Sequence, residues 1–386
     1  MSDDNGSVDV LVIGAGPSGC AAGVVLARAG LRVRVIDRAS FPRPKVCGDA
    51  LSNRAIAIIG ALGAGDALAA APHADVLGAL ALLPDGSSIP RDYGAARGMI
   101  VGRLDLDALL VRALVASGAE LREGVAADDL VVEGGAVVGA RVGATVMRAR
   151  AVLAADGPGS VATRALGVAK PRGRGLAISA TAYYEGVTGA LREGWSEHWF
   201  DPSLPYGYGW IFPAVEGVAN VGVYLRRDGY DARGVALGAL FERFLEQHRD
   251  RFAGARRVGA VRTWQLPLSD LGVRVGMPGL LTTGDAGRHV DPLTGEGIWQ
   301  ALRTGEIAGE VCAEAMRAGA LDDAAVRRYR WRVAREVDAP ATVRGRIQDG
   351  MQALVASGLY RRPELQALLK WGYGSGALEV SKSVAG

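Results

Sequence analysis

The hydrophobic pattern near the start of the chain predicts a strand, a turn, a helix and a second strand. Residues 10–13 form an uninterrupted apolar run, which is typical of a parallel strand buried on both faces. A glycine-rich turn, an apolar stretch rich in alanine and a second apolar run over residues 33–36 follow. Buried strands of the same type recur at residues 151–155 and 280–283.

The middle of the chain shows a different pattern. Residues 104–117 predict an amphipathic helix that ends at Gly118, and Gly134-Gly135 predicts the turn of a hairpin. Between residues 173 and 271 the pattern changes to strands rich in Tyr, Trp and Val, interrupted by one helix over residues 234–247. This change indicates a second sheet inserted into the first fold.

The last third of the chain is predicted to be helical. A helix after residue 297 carries one apolar stripe, and Cys312 lies on that stripe as a core residue. From residue 322 the helical pattern continues, with breaks at Pro340 and Pro363. We therefore predict an α/β fold with an α+β insertion, divided into a nucleotide-binding lobe (residues 1–72, 101–172 and 276–320), a mainly antiparallel substrate lobe (73–100 and 173–275) and a helical C-terminal region (321–386).

Composition and charge narrow the class of protein. A chain of 386 residues with 49% hydrophobic and 22% charged residues is ordinary for a globular protein. The net charge is only +3 and the basic residues are scattered, which argues against nucleic acid as a partner. Three cysteines are too few and too scattered for a disulfide framework or a metal site, so we expect a reducing, cytoplasmic location. The acidic start predicts no signal peptide, and the glycines and proline within residues 10–27 argue against a membrane span.

The turn after the first strand has the spacing of a dinucleotide site. Gly14, Gly16 and Gly19 form G-x-G-x-x-G: the first glycine allows the tight turn, the second lets a pyrophosphate approach the backbone, and the third permits close helix packing. The helix that follows directs its N-terminal N–H groups toward the phosphates. Asp37 ends the second strand, where it can accept hydrogen bonds from ribose hydroxyls.

Three separated segments now resemble one family. They are the glycine turn with Asp37, Asp156-Gly157 after one buried strand, and Gly284-Asp285 after another. Together they resemble the flavin-binding fold of the aromatic hydroxylases over residues 8–320. The resemblance implies a Rossmann-like fold that binds FAD.

The resemblance also implies which residues hold FAD. The equivalent of Asp285 approaches the ribitol and pyrophosphate, the backbone near Gly295 and Gly297 cups the flavin ring, and Arg103 matches an arginine that lies along the cofactor. A helix N-terminus near the ring would stabilise the reduced, anionic flavin. The expected cofactor-binding residues are Gly14, Gly16, Pro17, Ser18, Gly19, Asp37, Arg38, Cys47, Arg103, Asp156, Gly284, Asp285, Gly295, Glu296, Gly297 and Ile298.

An aromatic segment narrows the family further. PYGYGWIFP places Tyr206, Tyr208, Trp210 and Phe212 at period two, so we expect all four rings on one strand face and glycines on the other. A strand that simply packs these rings into the core is the alternative. The segment matches the P-x-x-Y-x-W-x-F-P pattern of geranylgeranyl reductases. KVCGDAL (residues 45–51) and PLTGEGI (residues 292–298) resemble the same family.

This resemblance implies a FAD-dependent reductase that saturates carbon–carbon double bonds in a prenyl lipid, a prenylated quinone or a related natural product. An isolated alkene has no carbonyl to absorb charge, so hydride and proton must arrive together on a chain held in one orientation. The expected substrate-binding residues are Tyr206, Tyr208, Trp210, Phe212 and Pro292. The candidate proton donors are Tyr208 and Cys47, followed by Tyr206 and His289. In the family, the cysteine that matches Cys47 lies near the reactive face of the flavin; the alternative for Cys47 is a small buried hydrophobe.

The chain departs from the family pattern at Arg288 and His289, where a glycine and an apolar or aromatic residue are usual. Two large polar groups beside the flavin would suit a more polar substrate or an anionic head group. Alternatively, both side chains turn toward solvent.

Two other functions stay open. In a flavin monooxygenase or halogenase, reduced flavin would react with oxygen, but Lys45 is the only lysine near the flavin motifs and Arg288 replaces the histidine common in hydroxylases. In a flavoprotein without turnover, the same fold would only bind a ligand or a protein partner.

The electron source and a membrane partner are also predicted only in outline. The sequence predicts no second nucleotide domain, so we expect electrons to come from NADPH that binds transiently or from a separate donor protein such as a reductase or ferredoxin. Residues 324–335 carry five arginines with Tyr329 and Trp331, which predicts either peripheral contact with a membrane surface or a solvated charged helix face.

Overall fold

The structure, a computed structural model, describes residues 8–367. Its strands are β1 (Val8–Ile13), β2 (Val33–Asp37), β3 (Ala50–Leu51), β4 (His73–Val76), β5 (Gly78–Leu82), β6 (Ser88–Asp92), β7 (Gly98–Val101), β8 (Glu120–Glu123), β9 (Asp129–Glu133), β10 (Ala136–Val142), β11 (Thr145–Ala154), β12 (Leu176–Glu185), β13 (Trp195–Trp199), β14 (Gly207–Ile211), β15 (Val218–Arg226), β16 (Arg256–Pro267), β17 (Gly276–Met277) and β18 (Leu280–Thr282). Its helices are α1 (Pro17–Arg28), α2 (Asn53–Ala61), α3 (Gly65–Ala70), α4 (Arg103–Ala116), α5 (Ala162–Ala165), α6 (Arg227–Asp231), α7 (Leu237–Gln247), α8 (Arg249–Phe252), α9 (Ile298–Ala318), α10 (Asp323–Val333) and α11 (Ala339–Ser357).

The apolar runs of the sequence form a parallel sheet in the order β18-β11-β1-β2-β8, with β17 antiparallel at one edge. Their carboxyl ends meet at one edge. There the glycine turn follows β1, Asp37 is the last residue of β2, and Asp156 comes just after β11. Parallel α/β sheets bind ligands at this edge. The hairpin predicted at Gly134-Gly135 joins β9 to β10, and both glycines have positive φ (58° and 80°).

Helices α1 and α9 pack together on one face of this sheet, because small residues let their backbones approach. A Cβ at Gly305 of α9 would lie only 2.2 Å from the Ser18 carbonyl oxygen. Cys312 is fully buried in the same core, as its place on the apolar stripe predicts, and burial raises the pKa of its thiol to about 12. The first half of α9 therefore packs against the start of α1.

The aromatic part of the chain forms a seven-stranded sheet in the order β16-β12-β15-β14-β13-β5-β6, which is antiparallel except for the pair β13–β5. Helix α7 covers its outer face, and begins at Leu237 rather than at residue 234. Strands β3, β4 and β7 form a small third sheet, and in the sequence they lie between β2 and β8 of the parallel sheet. The residue limits predicted for the two lobes stay a prediction.

The C-terminal region is helical, as predicted, up to the end of the described residues. Pro340 does not end the helix; it follows a π-helical segment, Ala334–Asp338, that connects α10 to α11. Pro340 has no backbone N–H to donate, and the wider π-helical turn before it accommodates the proline ring, so the helix continues. Pro363 lies beyond the 3₁₀ turn Leu359–Arg361, so the predicted break there is confirmed. Residues 368–386 of the predicted region lie outside the described part of the chain.

Candidate active site

The glycine turn between β1 and α1 adopts the geometry that its sequence predicts. Gly14 has φ +100°, and a Cβ there would lie 2.4 Å from the Ala155 carbonyl oxygen. A Cβ at Gly19 would lie 1.8 Å from the Gly14 carbonyl oxygen, so the third glycine serves close packing. Asp37 closes the turn, since its two carboxylate oxygens accept hydrogen bonds from the backbone N–H groups of Ala15 and Ala39, both at 2.8 Å.

One continuous cavity of about 1860 Å³ connects this turn with the aromatic sheet. Single-ligand pockets are typically about 300–1,000 Å³, so this volume accommodates a dinucleotide and a second ligand together. The predicted cofactor residues that line it are Gly14, Gly16, Pro17, Ser18, Asp37, Arg38, Cys47, Arg103, Asp156, Asp285, Gly295, Glu296, Gly297 and Ile298. Gly19 and Gly284 lie behind the wall and support it by close packing: a Cβ at Gly284 would lie 2.8 Å from Ser18 Oγ.

Charges along the cavity suit a pyrophosphate. The Arg43 guanidinium lies over the turn, 3.7 Å from where a Cβ on Gly16 would be, and it forms an ion pair with Asp107 at 3.1 Å. Arg103 is buried and donates two hydrogen bonds of 2.8 Å to the same Asp107 carboxylate. Arginine is well suited to bind phosphate oxygens, and the N-terminus of α1 adds its dipole.

Two half-buried acids, Asp156 and Asp285, lie at the same end, and Asp156 has unused hydrogen-bonding capacity. Oδ2 of Asp156 accepts from the Val161 N–H at 2.8 Å, whereas its Oδ1 is buried and has no partner among residues 8–367. Burial raises the pKa of both Asp156 and Asp285, which lie on the cavity wall. An orphaned acceptor of this kind fits the hydroxyl groups of a ribose or ribitol. The residues present therefore fit FAD.

The aromatic wall forms as predicted for three of its four rings. Tyr208, Trp210 and Phe212 line the cavity, with centroids 6.2 Å and 5.9 Å apart along the strand. On the opposite face, a Cβ at Gly209 would lie 2.3 Å from the Phe244 ring, so glycine lets α7 pack against the sheet. The rings form a buried cluster and also line the cavity, so the core and wall hypotheses are both partly correct.

Tyr206 and Pro292 are not part of this wall. Tyr206 precedes β14 with φ +55°, so the period-two alternation does not reach it, and its ring lies 3.8 Å from the Arg226 guanidinium instead. Pro292 lies behind the wall, where its carbonyl oxygen accepts hydrogen bonds from Tyr224 at 2.8 Å and Gln348 at 2.6 Å. Neither residue lines the cavity. The structure thus separates both from the expected substrate site.

Arg288 and His289, the two polar residues that differ from the family pattern, also lie away from the cavity. His289 is buried, and its Nδ1 lies 2.9 Å from the Asp338 carboxylate. Arg288 turns outward and donates to the Ala169 carbonyl oxygen. Neither side chain lines the cavity, so the structure gives no support for a head-group site there or for His289 as a proton donor.

The remaining candidate donors do line the cavity. The Tyr208 hydroxyl donates to the Thr294 carbonyl oxygen in the segment that carries Gly295. Burial raises the pKa of the Cys47 thiol, which therefore stays protonated at neutral pH. Lys45 also lines the cavity: its Nζ lies 3.5 Å from the centre of the Trp264 ring, and burial lowers its pKa to about 8.

Sequence reasoning missed two polar groups on the cavity wall, Asp49 and His198. Asp49 is buried with φ +63°, and its Oδ2 accepts hydrogen bonds from Tyr183 Oη at 2.6 Å and Asn220 Nδ2 at 2.8 Å. His198 lies between the Tyr208 and Phe212 rings, and burial lowers its pKa to about 4. Asp49 lies inside the KVCGDAL segment, and the resemblance of that segment to the family was the only feature of the sequence that pointed to it. Its hydrogen-bond partners are more than a hundred residues away, so no local pattern connects them.

The fold and this site together define a FAD-dependent oxidoreductase with the fold of the aromatic hydroxylases. The family described as FAD binding domain matches residues 7–190. A menaquinone reductase from Mycobacterium tuberculosis is 34% identical over 332 residues, covering 81% of this chain and 78% of that protein. Digeranylgeranylglycerophospholipid reductase 1 from Methanopyrus kandleri is 34% identical over 334 residues, with 84% and 85% covered. The chain therefore belongs to the geranylgeranyl reductase family of FAD-dependent oxidoreductases.

Solved structures agree on the fold. A geranylgeranyl bacteriochlorophyll reductase-like protein from Thermoplasma acidophilum superposes with a TM-score of 0.81 at 24% identity, covering 96% of this chain and 97% of that one. The flavin-dependent brominase Bmp2 superposes with a TM-score of 0.79, also at 24% identity, with 95% and 93% covered. At this identity, both show the shared fold alone.

Proposed function

We propose that this protein uses reduced FAD to saturate carbon–carbon double bonds in the prenyl chain of a lipid, a quinone or a related natural product. Its relatives named menaquinone reductase and digeranylgeranylglycerophospholipid reductase each share 34% identity with it over most of both chains. Both named substrates carry prenyl chains. FAD, when bound and reduced, supplies a hydride.

The observation that carries the proposal is the aromatic wall in the same cavity as the residues predicted to bind the flavin. The cavity that is lined by the rings of Tyr208, Trp210 and Phe212 is also lined by Asp285 and Gly295. A prenyl chain offers only apolar contact, worth about 25 cal/mol per Å² of buried area, so it needs such a wall to be held in one orientation. Burial there also excludes water from the reacting carbons.

The cavity continues beyond the wall toward a second apolar region. Ala81 and Ile89 from β5 and β6, together with Met351 and Leu354 from α11, line it. A long chain could therefore extend from the aromatic wall to the underside of the C-terminal helix. This shape supports a polyprenyl substrate more than a compact aromatic one.

The test is an anaerobic reaction of the FAD-loaded protein. The flavin is reduced with dithionite and mixed separately with a prenyl diphosphate, a menaquinone and a polyene polyketide. We expect one of these alkenes to restore the oxidised flavin spectrum and, after any quinol has been reoxidised to the quinone, to keep a mass gain of two hydrogens per bond. A product that forms only in air and carries added oxygen or halogen would instead establish the monooxygenase or halogenase hypothesis.

The electron donor and a membrane partner belong to the same proposal. NADPH or a reduced donor protein such as ferredoxin would reduce the flavin, and stopped-flow reduction by each distinguishes them.

No helix within residues 8–367 is long and apolar enough to cross a membrane. Peripheral contact is supported by Trp331 on α10, which is 60% exposed with the Arg335 guanidinium 5.3 Å from its ring centre. Sedimentation with anionic vesicles, compared between the natural protein and Trp331→Ala, tests it. The cytoplasmic location stays a prediction from the three free cysteines.

A further inference from the structure

We infer that Asp49 is the acid that protonates the substrate alkene, and that Tyr183 and Asn220 position its carboxyl group. This inference rests on the proposed alkene reduction. Asp49 lies on the cavity wall in the loop that packs against the aromatic strand: a Cβ at Gly48 would lie 3.3 Å from the Phe212 ring. Asp49 is a buried acid on the predicted substrate side of the cavity.

The hydrogen bonds around Asp49 define where its proton resides. Tyr183 and Asn220 both donate to Oδ2, at 2.6 Å and 2.8 Å. In the neutral acid the proton therefore belongs on Oδ1. That oxygen is buried and meets no hydrogen-bond partner in the described part of the chain. An O–H without a protein acceptor is suited to donate to a ligand.

The network also connects Asp49 to the wall that would hold the alkene. Asn220 accepts a hydrogen bond from the indole N–H of Trp210 at 2.9 Å, and its amide also donates to the Cys47 carbonyl oxygen at 2.9 Å. Asn220 is 2% exposed, so these bonds form out of water. The position of the carboxyl group is thus tied to the position of the indole ring and to the loop that carries Cys47.

Burial lets Asp49 hold a proton up to about pH 6. Burial raises its pKa to about 6, and the hydrogen bonds from Tyr183 and Asn220 oppose this rise. An apolar chain in the cavity would remove remaining water and favour the neutral acid further. The titratable and charged groups that face Asp49 are Lys45 and Cys47 from its own loop, Arg103 and Asp107 from α4, and Tyr183 from β12.

Proton transfer from Asp49 accompanies hydride addition to the alkene. One alkene carbon receives the hydride, with its two electrons, that reduced FAD supplies. The neighbouring carbon forms a C–H bond with the proton of Asp49 as the Oδ1–H bond breaks, which leaves a carboxylate. Water reprotonates that carboxylate after the product leaves, and the external electron donor reduces the flavin for the next cycle.

The experiment compares five forms of the full chain loaded with FAD: the natural protein, Asp49→Asn, Tyr183→Phe, Cys47→Ala and the control Tyr184→Phe. Asparagine tolerates positive φ and keeps an oxygen acceptor for Tyr183 and Asn220, so Asp49→Asn should fold. With each form, dithionite-reduced flavin is mixed with the reducible prenyl alkene without air, and the rate of flavin oxidation is followed from pH 5 to 9. Loss of a general acid typically costs about 10²-fold to 10⁴-fold, so we expect at least a 100-fold slower reaction for Asp49→Asn.

The pH profile separates a catalytic role from a structural one. For the natural protein the rate should fall as the pH rises through the pKa of Asp49, because the carboxylate has no proton to give. Tyr183→Phe removes a hydrogen bond that stabilises the carboxylate, so this falling limb should move to higher pH. Tyr184→Phe, the same change one residue along β12, should leave the limb in place, because Tyr184 lies in the core on the other face of the strand.

Several outcomes would overturn the inference. An Asp49→Asn protein that oxidises its flavin within tenfold of the natural rate excludes Asp49 as the donor, and a 100-fold loss in Cys47→Ala with Asp49→Asn active assigns the role to Cys47. If Asp49→Asn lost FAD, an unmoved pH limb in Tyr183→Phe would still contradict the inference. If the natural protein reduced no alkene, the proposed function would fail separately. An infrared titration would then decide whether Asp49 is a neutral acid near pH 6, through a carboxyl band that Asp49→Asn lacks.

Discussion

Arg344 on α11 forms an ion pair with Asp291, whose side chain is 2% exposed. The other oxygen of Asp291 accepts hydrogen bonds from the backbone N–H groups of Leu293 and Thr294, at 2.9 Å and 3.0 Å. This carboxylate therefore shapes the PLTGEGI segment, and the C-terminal helix supplies its counter-charge. A helix at the end of the chain thus supports the backbone expected to cup the flavin.

Arg344→Ala should destabilise the protein and weaken FAD binding. Removing one partner of a buried pair costs about 3–5 kcal/mol, since the other charge stays buried without compensation. Chemical denaturation and FAD titration measure the two effects. Arg346→Ala, an exposed arginine on the same helix, serves as the control and should change the free energy of unfolding by no more than about 0.5 kcal/mol. Equal effects from both variants would show that the pair does not support the segment.

Gly16→Ala should weaken FAD binding, whereas Gly14→Ala should destabilise the fold. A Cβ at Gly16 meets nothing closer than the Arg43 side chain at 3.7 Å, so the variant should fold. The added methyl group would occupy space at the turn that a pyrophosphate approaches. We therefore expect FAD affinity to fall at least about tenfold, or 1.4 kcal/mol. Gly14→Ala meets backbone at 2.4 Å with positive φ, so it should lower the melting temperature instead. Full FAD affinity in a folded Gly16→Ala protein would contradict the predicted phosphate position.

Tyr208→Phe tests whether this hydroxyl is an anchor or a proton donor. Its O–H donates to the Thr294 carbonyl oxygen, so its removal leaves that acceptor unpaired at a cost of about 1–3 kcal/mol. We expect a loss of stability of this size and a decrease of less than tenfold in the rate at which an alkene oxidises the reduced flavin. A decrease of 100-fold or more with unchanged stability would make Tyr208 the proton donor that its motif suggests.

Asp49→Asn should change the pH dependence of stability. The folded pKa of Asp49 is raised to about 6 from an ordinary value of 3.8, so the folded state binds more protons than the unfolded state between these pH values. The free energy of unfolding contributed by this group therefore falls as the pH rises from 4 to 6. Relative to the natural protein, Asp49→Asn should gain up to about 3 kcal/mol between pH 4 and pH 7. Denaturation of both proteins across this range measures it, and parallel curves would contradict the raised pKa.

The nucleotide half of the site was predictable from local sequence. Its chemistry depends on residues within about one βαβ unit, such as Gly14, Gly16 and Asp37, whose spacing places them at one sheet edge. Period two also predicted Tyr208, Trp210 and Phe212 on one wall, because a regular strand alternates its side chains. Tyr206 does not follow this alternation, because its positive φ ends the extended conformation one residue before the strand begins.

The proton-transfer side of the cavity depends on tertiary structure. Asp49, Tyr183 and Asn220 come from a loop and from two strands of the other sheet, and only their burial together turns three ordinary polar residues into a network. Packing likewise places the His289 ring beside Asp338 and away from the cavity. Its position next to the flavin motif in the sequence had made it a candidate proton donor. The sequence by itself determined the cofactor, the sheet edge that holds it and the family. Only the tertiary structure decided which polar groups share the substrate cavity, because desolvation and hydrogen bonding between distant segments are properties of the packed chain rather than of any local pattern.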